Sequence, residues 1–429
     1  MRTIVSAFLL LLVNIGTAEC QNIVYFQITS TNSVHFIVTD PFGRRTGSDP
    51  RGAENRLLGI DIDEIPKATY SFEGPGDNPD STKPQERVTY HVFMYLFESP
   101  QNDGVYSIRV IGISTSNFKL HVSISPNEIL NGRKFRYVLG GAPIEADSVI
   151  NYNLEYRSSL AGEITLKKEV SSRSLLQDIS AMRQLVWIKN QPTADKYVNL
   201  ISSFGTQFQQ KDYVAARTTL GAILQTLPTD SLTSLTTDAC KLLREDTQQL
   251  LNELPPAVTS LNPAFALAAS GGFSLKVNGL PFTSSDSVSW NGSSRPTTFI
   301  SSTELHASIP TGDVTKVGSF EVSVRTQDGR VSNNLSFHVI SAVNWVDTLI
   351  SYKHKAFDLG WIQDKGIANS LDQKLDNAKA QLVRKNNKSA KNILEAFVSE
   401  VEAQKNKHLT SEAYALLKFN AEYLISKLQ

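Results

Sequence analysis

Only two cysteines, Cys20 and Cys240, occur in 429 residues, so disulfides do not organise this fold. An excess of charge of either sign is lacking too. The 42 basic residues are matched by 42 acidic ones, and no whole-molecule field draws nucleic acid or an anionic membrane. Beyond the first twenty residues no apolar run approaches the ~20 residues of a membrane-spanning helix. Catalytic signatures are missing: there is no P-loop, HExxH, GxSxG elbow, paired CxxC or Rossmann glycine fingerprint. The seven histidines are scattered. His35, His91 and His121 fall in one strand-rich region, and His306 and His338 in another, none with a ligand-spaced partner. What remains is a globular composition, 41% hydrophobic, in a chain long enough for roughly three domains.

Residues 1–20 differ from the rest. Arg2 gives a positive start, Ile4–Val13 is apolar apart from Ser6, and Gly16-Thr17-Ala18 offers small residues for cleavage. This is the pattern of a secretory leader, cut after Ala18 or nearer Gln21. Glu19 and Thr17 match a lipobox poorly, which argues against a lipid anchor on Cys20. The mature chain is expected outside the cell, secreted or at its surface, with no transmembrane segment.

Two stretches align on each other without a gap: Trp187–Leu251 on Trp361–Ile425. Such duplication is more typical of binding or surface scaffolds than of single-pocket enzymes. Ahead of the first copy, residues 21–166 read as strands. Val34, Phe36 and Val38 alternate with polar partners, as do Tyr106, Ile108 and Val110, and Phe118, Leu120, Val122 and Ile124. Val88–Phe97, apolar on both faces, predicts a central strand. Turn chemistry at Asp40-Pro41-Phe42-Gly43, Gly74-Pro75-Gly76-Asp77 and Asn102-Asp103-Gly104 separates them, the spacing of an antiparallel β-sandwich.

Helical spacing takes over across residues 171–254, and Pro255-Pro256 ends it. Strands return in 256–341, where Phe273, Leu275 and Val277 alternate, then Phe320, Val322 and Val324, then Leu335, Phe337 and Val339. Asp328-Gly329 turns the last pair. From Asn344 the chain is helical again. Ile367, Leu371, Leu375, Ala378 and Leu382 form one buried stripe, Asn386-Asn387 breaks the pattern, and Thr410 is a good N-cap with Glu412 at the positive helix start. Leu235-Thr236 and Asp238 repeat the Leu409-Thr410 and Glu412 signals in register. Each copy therefore predicts a bundle of about four helices. Cys240, standing where the second copy has Tyr414, reads as a small buried hydrophobe, and the shared Trp187/Trp361 position reads as core.

Phe273-Ser274-Leu275-Lys276-Val277-Asn278-Gly279, Phe282, Ser287-Val288-Ser289-Trp290-Asn291-Gly292, Gly318–Val324 and Ser332-Asn333-Asn334 carry a resemblance to the IPT/TIG domain over 262–340. That resemblance implies an immunoglobulin-like sandwich. Gly360-Trp361-Ile362, Lys365–Leu371, Ala396-Phe397-Val398 and Leu409-Thr410 resemble the FIMAH domain over 344–428, a helical module of exported bacterial multidomain proteins. Residues 171–254 look like a diverged copy, with Gln191-Pro192 in place of Lys365-Gly366. The opening segment, with Thr39–Gly47, Glu64-Ile65-Pro66 and Asp103–Tyr106, is similar to the first domain of exported bacterial proteins of unassigned role. These resemblances imply no catalytic residues and an extracellular accessory or recognition role.

Candidate binding residues are few. Asp40, Asp49 and Asp103, with Asp61, Asp63, Asp77 and Asp80, sit in or near the turns of the first domain. Sandwich loops can gather such oxygens around calcium, although Asp also populates turns by capping local backbone. Arg44 and Arg45, with Arg51 and Arg56, suit an anionic sugar or phosphate, unless they pair with neighbouring carboxylates. Trp290 could stack on a sugar ring or seal the sandwich end.

The expectation is a multidomain α+β chain: leader 1–20, β-sandwich 21–166, four-helix unit 171–254, immunoglobulin-like TIG β-sandwich 256–341 and four-helix unit 344–429. Its expected role is non-catalytic recognition of an extracellular polysaccharide or surface protein, without a cofactor, a calcium ion at those Asp residues being the alternative. A calcium-dependent hydrolase with its site in the first domain and a purely structural surface subunit stand as alternatives.

Overall fold

A computed structural model describes residues 23–31, 34–51, 53, 59–66, 68–73, 89–97, 102–126, 135–157 and 165–428. The leader with Cys20, Arg56, the Gly74–Asp77 turn and Asp80 lie outside the described residues. The chain divides into two compact units. One comprises Met1–Gln210 with Ala215–Glu253, the other Lys211–Val214 with Leu254–Gln429.

The first unit opens with β1 (Ile23–Thr31), β2 (Val34–Thr39), β3 (Arg45–Asp49), β4 (Ile60–Asp63), β5 (Ala68–Glu73) and β6 (Thr89–Phe97). It continues with β7 (Gly104–Gly112), β8 (Ser116–Pro126), β9 (Phe135–Ile144), β10 (Val149–Tyr156) and β11 (Thr165–Lys168). Two antiparallel sheets result, ordered β5-β6-β1-β8-β9 and β11-β10-β7-β2-β3-β4. Their facing side chains, including Ile28, Phe36, Met94, Ile108, Phe118 and Leu120, make one core. The period-2 pattern of β7 and β10 places alternate residues inside, as pleating requires. β6 is interior to its sheet, between β5 and β1. β2 departs from simple alternation: His35 and Ile37 are buried along with Val34, Phe36 and Val38. The His35 ring is taken up by a 2.6 Å hydrogen bond between Nδ1 and the Tyr70 hydroxyl.

Four helices follow: α1 (Ser172–Gln184), α2 (Gln191–Gln209), α3 (Tyr213–Thr233) and α4 (Thr237–Glu253). The second unit has strands β12 (Ala257–Asn262), β13 (Phe265–Leu267), β14 (Phe273–Leu280), β15 (Ser287–Trp290), β16 (Ser293–Ser294) and β17 (Thr297–Ser301). It adds β18 (Glu304–Ile309), β19 (Gly318–Arg325) and β20 (Leu335–Ile340), then α5 (Ala342–Asp358), α6 (Lys365–Val383), α7 (Asn387–Gln404) and α8 (Ser411–Lys427). Its sheets run β12-β14-β18-β17 and β13-β20-β19-β15-β16 around Leu275, Val277, Val288, Leu305, Val322 and Phe337. In α6 the buried stripe is Ala368, Leu371, Leu375, Ala378 and Leu382. Thr410 caps α8 by accepting from the Ala413 amide.

The duplication extends to individual hydrogen bonds. The Trp187 and Ile188 amides both donate to Met182 O, as those of Trp361 and Ile362 do to Ala356 O. Thr236 N donates to Trp187 O and Thr410 N to Trp361 O, and the bridge Ile188–Leu235 recurs as Ile362–Leu409. Asn190 and Asp364 cap equivalent helices through their side chains. The two tryptophans are half-buried rather than central. Their backbones clamp the crossing loops, and the adjacent Ile188 and Ile362 enter the core instead. Cys240 is buried and free.

The copies differ where each meets the sandwich before it. In the second unit α5 starts one turn earlier than the repeat would place it, and that turn carries Trp345. Its ring stacks on Phe265 of β13 at 4.6 Å and meets Tyr423 edge-on. Its Nε1 donates to Asn420 O at 3.0 Å. Leu267 joins the helical core. In the first unit the corresponding ground is held by charge: Lys168 of β11 donates to Asp178 of α1 at 2.7 Å and to Asp246 of α4 at 2.6 Å.

Candidate functional site

The β2–β3 turn brings together several residues singled out from sequence. Asp40 is 5% exposed. Its Oδ1 accepts from the amides of Phe42 and Arg44, and its Oδ2 from Arg44 Nε at 2.7 Å. Gly43, at φ +81°, takes the left-handed conformation that glycine adopts without strain. Asp40 is thereby the internal brace of the turn. Phe42 is left 60% exposed, with the Arg44 guanidinium 5.0 Å from its ring centre. Arg45 pairs with Glu64, which its hydrogen bond holds below the usual carboxylate range. Asp103 lies on the neighbouring connection, where Gly104 packs against Pro41 so closely that a Cβ would sit 2.9 Å from its ring. Burial first, and then the Asp40 charge, push the Tyr106 phenol upward, with a smaller push from Asp103.

Asp49 belongs elsewhere. Both of its oxygens are engaged by Arg51, at 2.9 and 2.6 Å, and that hydrogen bond lowers its pKa. Among the described residues no group of three or more His, Cys, Asp or Glu side chains is placed to hold a metal ion. Trp290 is 2% exposed. Phe320 stacks on its ring at 5.3 Å and Phe337 packs at 5.0 Å, so its faces are taken by the second sandwich.

Arg51 also lines a cleft of about 560 Å³ between the sandwich and the start of α1. Arg51, Asp147, Asn151, Glu169, Arg173 and Gln177 are among the residues that line it. Their positions are set by short-range structure. Asp147 turns β9 into β10, its amide bonded to Gly112 O. Glu169 N donates to Asn151 O, continuing the β10–β11 ladder. The reciprocal Ser171–Ser174 capping box starts α1, so Arg173 and Gln177 project one turn apart. Two cations and two anions balance in this lining, beside two planar amides. The arrangement engages its serines, Ser148, Ser171 and Ser174, with backbone groups or with one another. It has the guanidinium, carboxylate and amide edges that hydrogen-bond vicinal hydroxyls in pairs, in a volume typical of small-ligand sites. Of these six only Arg51 stands out in the sequence, because the others carry no motif and converge only through the junction of β10, β11 and α1.

Comparison with known families agrees with the second unit. Residues 256–339 match the IPT/TIG domain and residues 355–426 the FIMAH domain. The chain thus carries a TIG domain followed by a FIMAH domain. These are non-catalytic domain types, and they indicate in general terms a surface or extracellular recognition role. No curated protein matches the chain. Among solved structures, the full extracellular region of plexin A4 is similar over 56% of this chain and 22% of its own, at 11% identity and a TM-score of 0.20. The chain therefore spans less than a quarter of that structure's length. The I9–I11 tandem of titin is similar over 75% of this chain and 94% of its own, at 10% identity and a TM-score of 0.17. No helix among the described residues is long and apolar enough to cross a membrane.

Proposed function

We propose that this chain is exported through its leader and recognises an extracellular polysaccharide without transforming it. The cleft beside α1 is the contact site. The observation that carries this reading is the cleft lining: paired hydrogen-bonding edges of balanced charge around a volume of about 560 Å³. A lining without net charge favours hydroxyl-rich ligands over polyanions. The exposed Phe42 ring, held on a turn braced by Asp40, offers a second, stacking contact for a sugar face. The helical blocks then act as packing partners that fix each sandwich, which accounts for the retention of their capping and core residues between copies. Glycan-array screening of the chain lacking residues 1–20 is the test. Retention of neutral polysaccharides, lost in Arg173→Ala/Gln177→Ala, supports the proposal. Absence of any glycan binding, or binding indifferent to both substitutions, refutes it.

A further inference from the structure

The two sandwich–helix junctions are built from opposite chemistry on a common frame. Carrying the 174-residue offset of the repeat back along the first helix, Asp178 corresponds to Tyr352 and Asp246 to Asn420. Where the second unit uses Trp345, Phe265, Tyr423 and the Asn420 carbonyl, the first buries a lysine between two carboxylates. Lys168 retains 9% of its side-chain exposure, Asp178 2% and Asp246 6%. One buried cation thus faces two buried acids. With a proton on one acid the cluster is neutral. With both ionised it holds an uncompensated negative charge, and burying such a charge is costly.

We infer that the Lys168–Asp178–Asp246 cluster is a proton-sensitive latch between the first sandwich and its helical block, tightest when one carboxylate is protonated. The groups facing Asp178 are Lys168 from β11, Asp246 from α4 and Tyr152 from β10, which pairs with Lys168 in the sheet. The α2 charges are engaged elsewhere, Asp195 with Gln191 and Lys196 with Asp230. Glu145, past the end of β9, takes Ser180 and Gln184 of α1. Burial is the leading influence on Asp178. It outweighs the attraction of Lys168, and with Asp246 adding to it the carboxyl is pushed up to about 6. For Lys168 burial works against the charge, but Asp178 and Asp246 prevail and raise its pKa. The lysine therefore stays charged throughout the range in which Asp178 titrates.

The sign follows from linkage. An acid whose folded pKa lies above its unfolded value contributes most below the unfolded value, ordinarily 3.8 for Asp. Its contribution falls as pH rises to about 6 and is flat beyond. An ordinary surface ion pair loses strength in the opposite direction, as acid removes its carboxylate.

Asp178→Asn, which mimics the neutral acid, separates the two cases in the full chain. Hydrogen exchange of peptides covering Thr165–Gln184 is compared between wild type and variant at one pH at a time, so that intrinsic exchange rates cancel. The latch requires higher protection in the variant at pH 7.5 and a smaller excess at pH 5, where part of the wild-type contribution remains. Lower protection in the variant at both values overturns it and leaves a plain structural ion pair. Should the variant not fold, the wild-type Asp178 carboxyl carbon read by NMR decides: a midpoint near 6 supports the latch, and one below 4 overturns it. Neither readout involves a glycan, so failure here is distinct from failure of the polysaccharide proposal.

Discussion

Replacing Trp345 by alanine tests whether the TIG sandwich and FIMAH helices of the second unit act as one cooperative body. Trp345 is 4% exposed, and truncating such a ring costs about 3–5 kcal/mol. Part of that cost belongs to the junction itself. The stack on Phe265 at 4.6 Å is worth ~0.5–1.5 kcal/mol beyond area burial. The Nε1 bond to Asn420 O contributes about 1 kcal/mol, and more if the carbonyl is left without a partner. Trp345→Phe keeps a ring over Phe265 and loses chiefly the hydrogen bond, a loss of roughly 1–2 kcal/mol. Hydrogen exchange of the full chain in mild urea provides the assay. In Trp345→Ala, protection should fall both in α5–α8 and in the strands around Phe265–Leu267 and Leu335–Ile340, with Trp345→Phe intermediate. Loosened helices beside an unchanged sandwich would refute the reasoning, because the aromatic contact would then stabilise the helical block alone.

Gly279→Ala should unfold the TIG sandwich: a Cβ there would lie 2.1 Å from Ala257 O and 2.4 Å from the Phe282 ring. Backbone contacts so close cost at least ~1–3 kcal/mol, visible as loss of the corresponding step in thermal melts. The Asp49 carboxyl should titrate below its ordinary 3.8 by NMR. The Arg51 hydrogen bond depresses it, so its stabilising contribution is present above that value and disappears as pH falls through the lower folded one. Excess EDTA, or added calcium, should leave the melting temperature unchanged, since Asp40 and Asp49 already have arginine partners. A calcium-dependent rise would assign these carboxylates to a metal instead.

Much of the fold was readable because it is encoded locally. The alternation of Tyr106, Ile108 and Val110 needs only the pleat, the Thr410 cap only the helix start, and the 174-residue repeat only comparison of the chain with itself. The half-burial of Trp187 and Trp361 was not readable, because a residue retained for its backbone hydrogen bonds looks like one retained for its side chain. Nor was the burial of both faces of β2, where Tyr70 closes over His35 from a distant segment. The Lys168 cluster had one visible signal, an aspartate at position 178 among Leu175, Ile179 and Met182 on the buried stripe of α1. Its partners, ten and 68 residues away along the chain in opposite directions, meet it only in the tertiary fold. The polar cleft is the same case: its residues follow no motif, and only the angle at which α1 leaves β11 gathers them.

Where a sugar binds is the most direct test of the cleft as the contact site. Amide chemical-shift mapping of the full chain with a neutral oligosaccharide should move resonances of residues 147–151 and 169–177 together, with smaller shifts around Phe42. Shifts confined to the FIMAH helices, or saturable binding that leaves the cleft resonances in place, would contradict it.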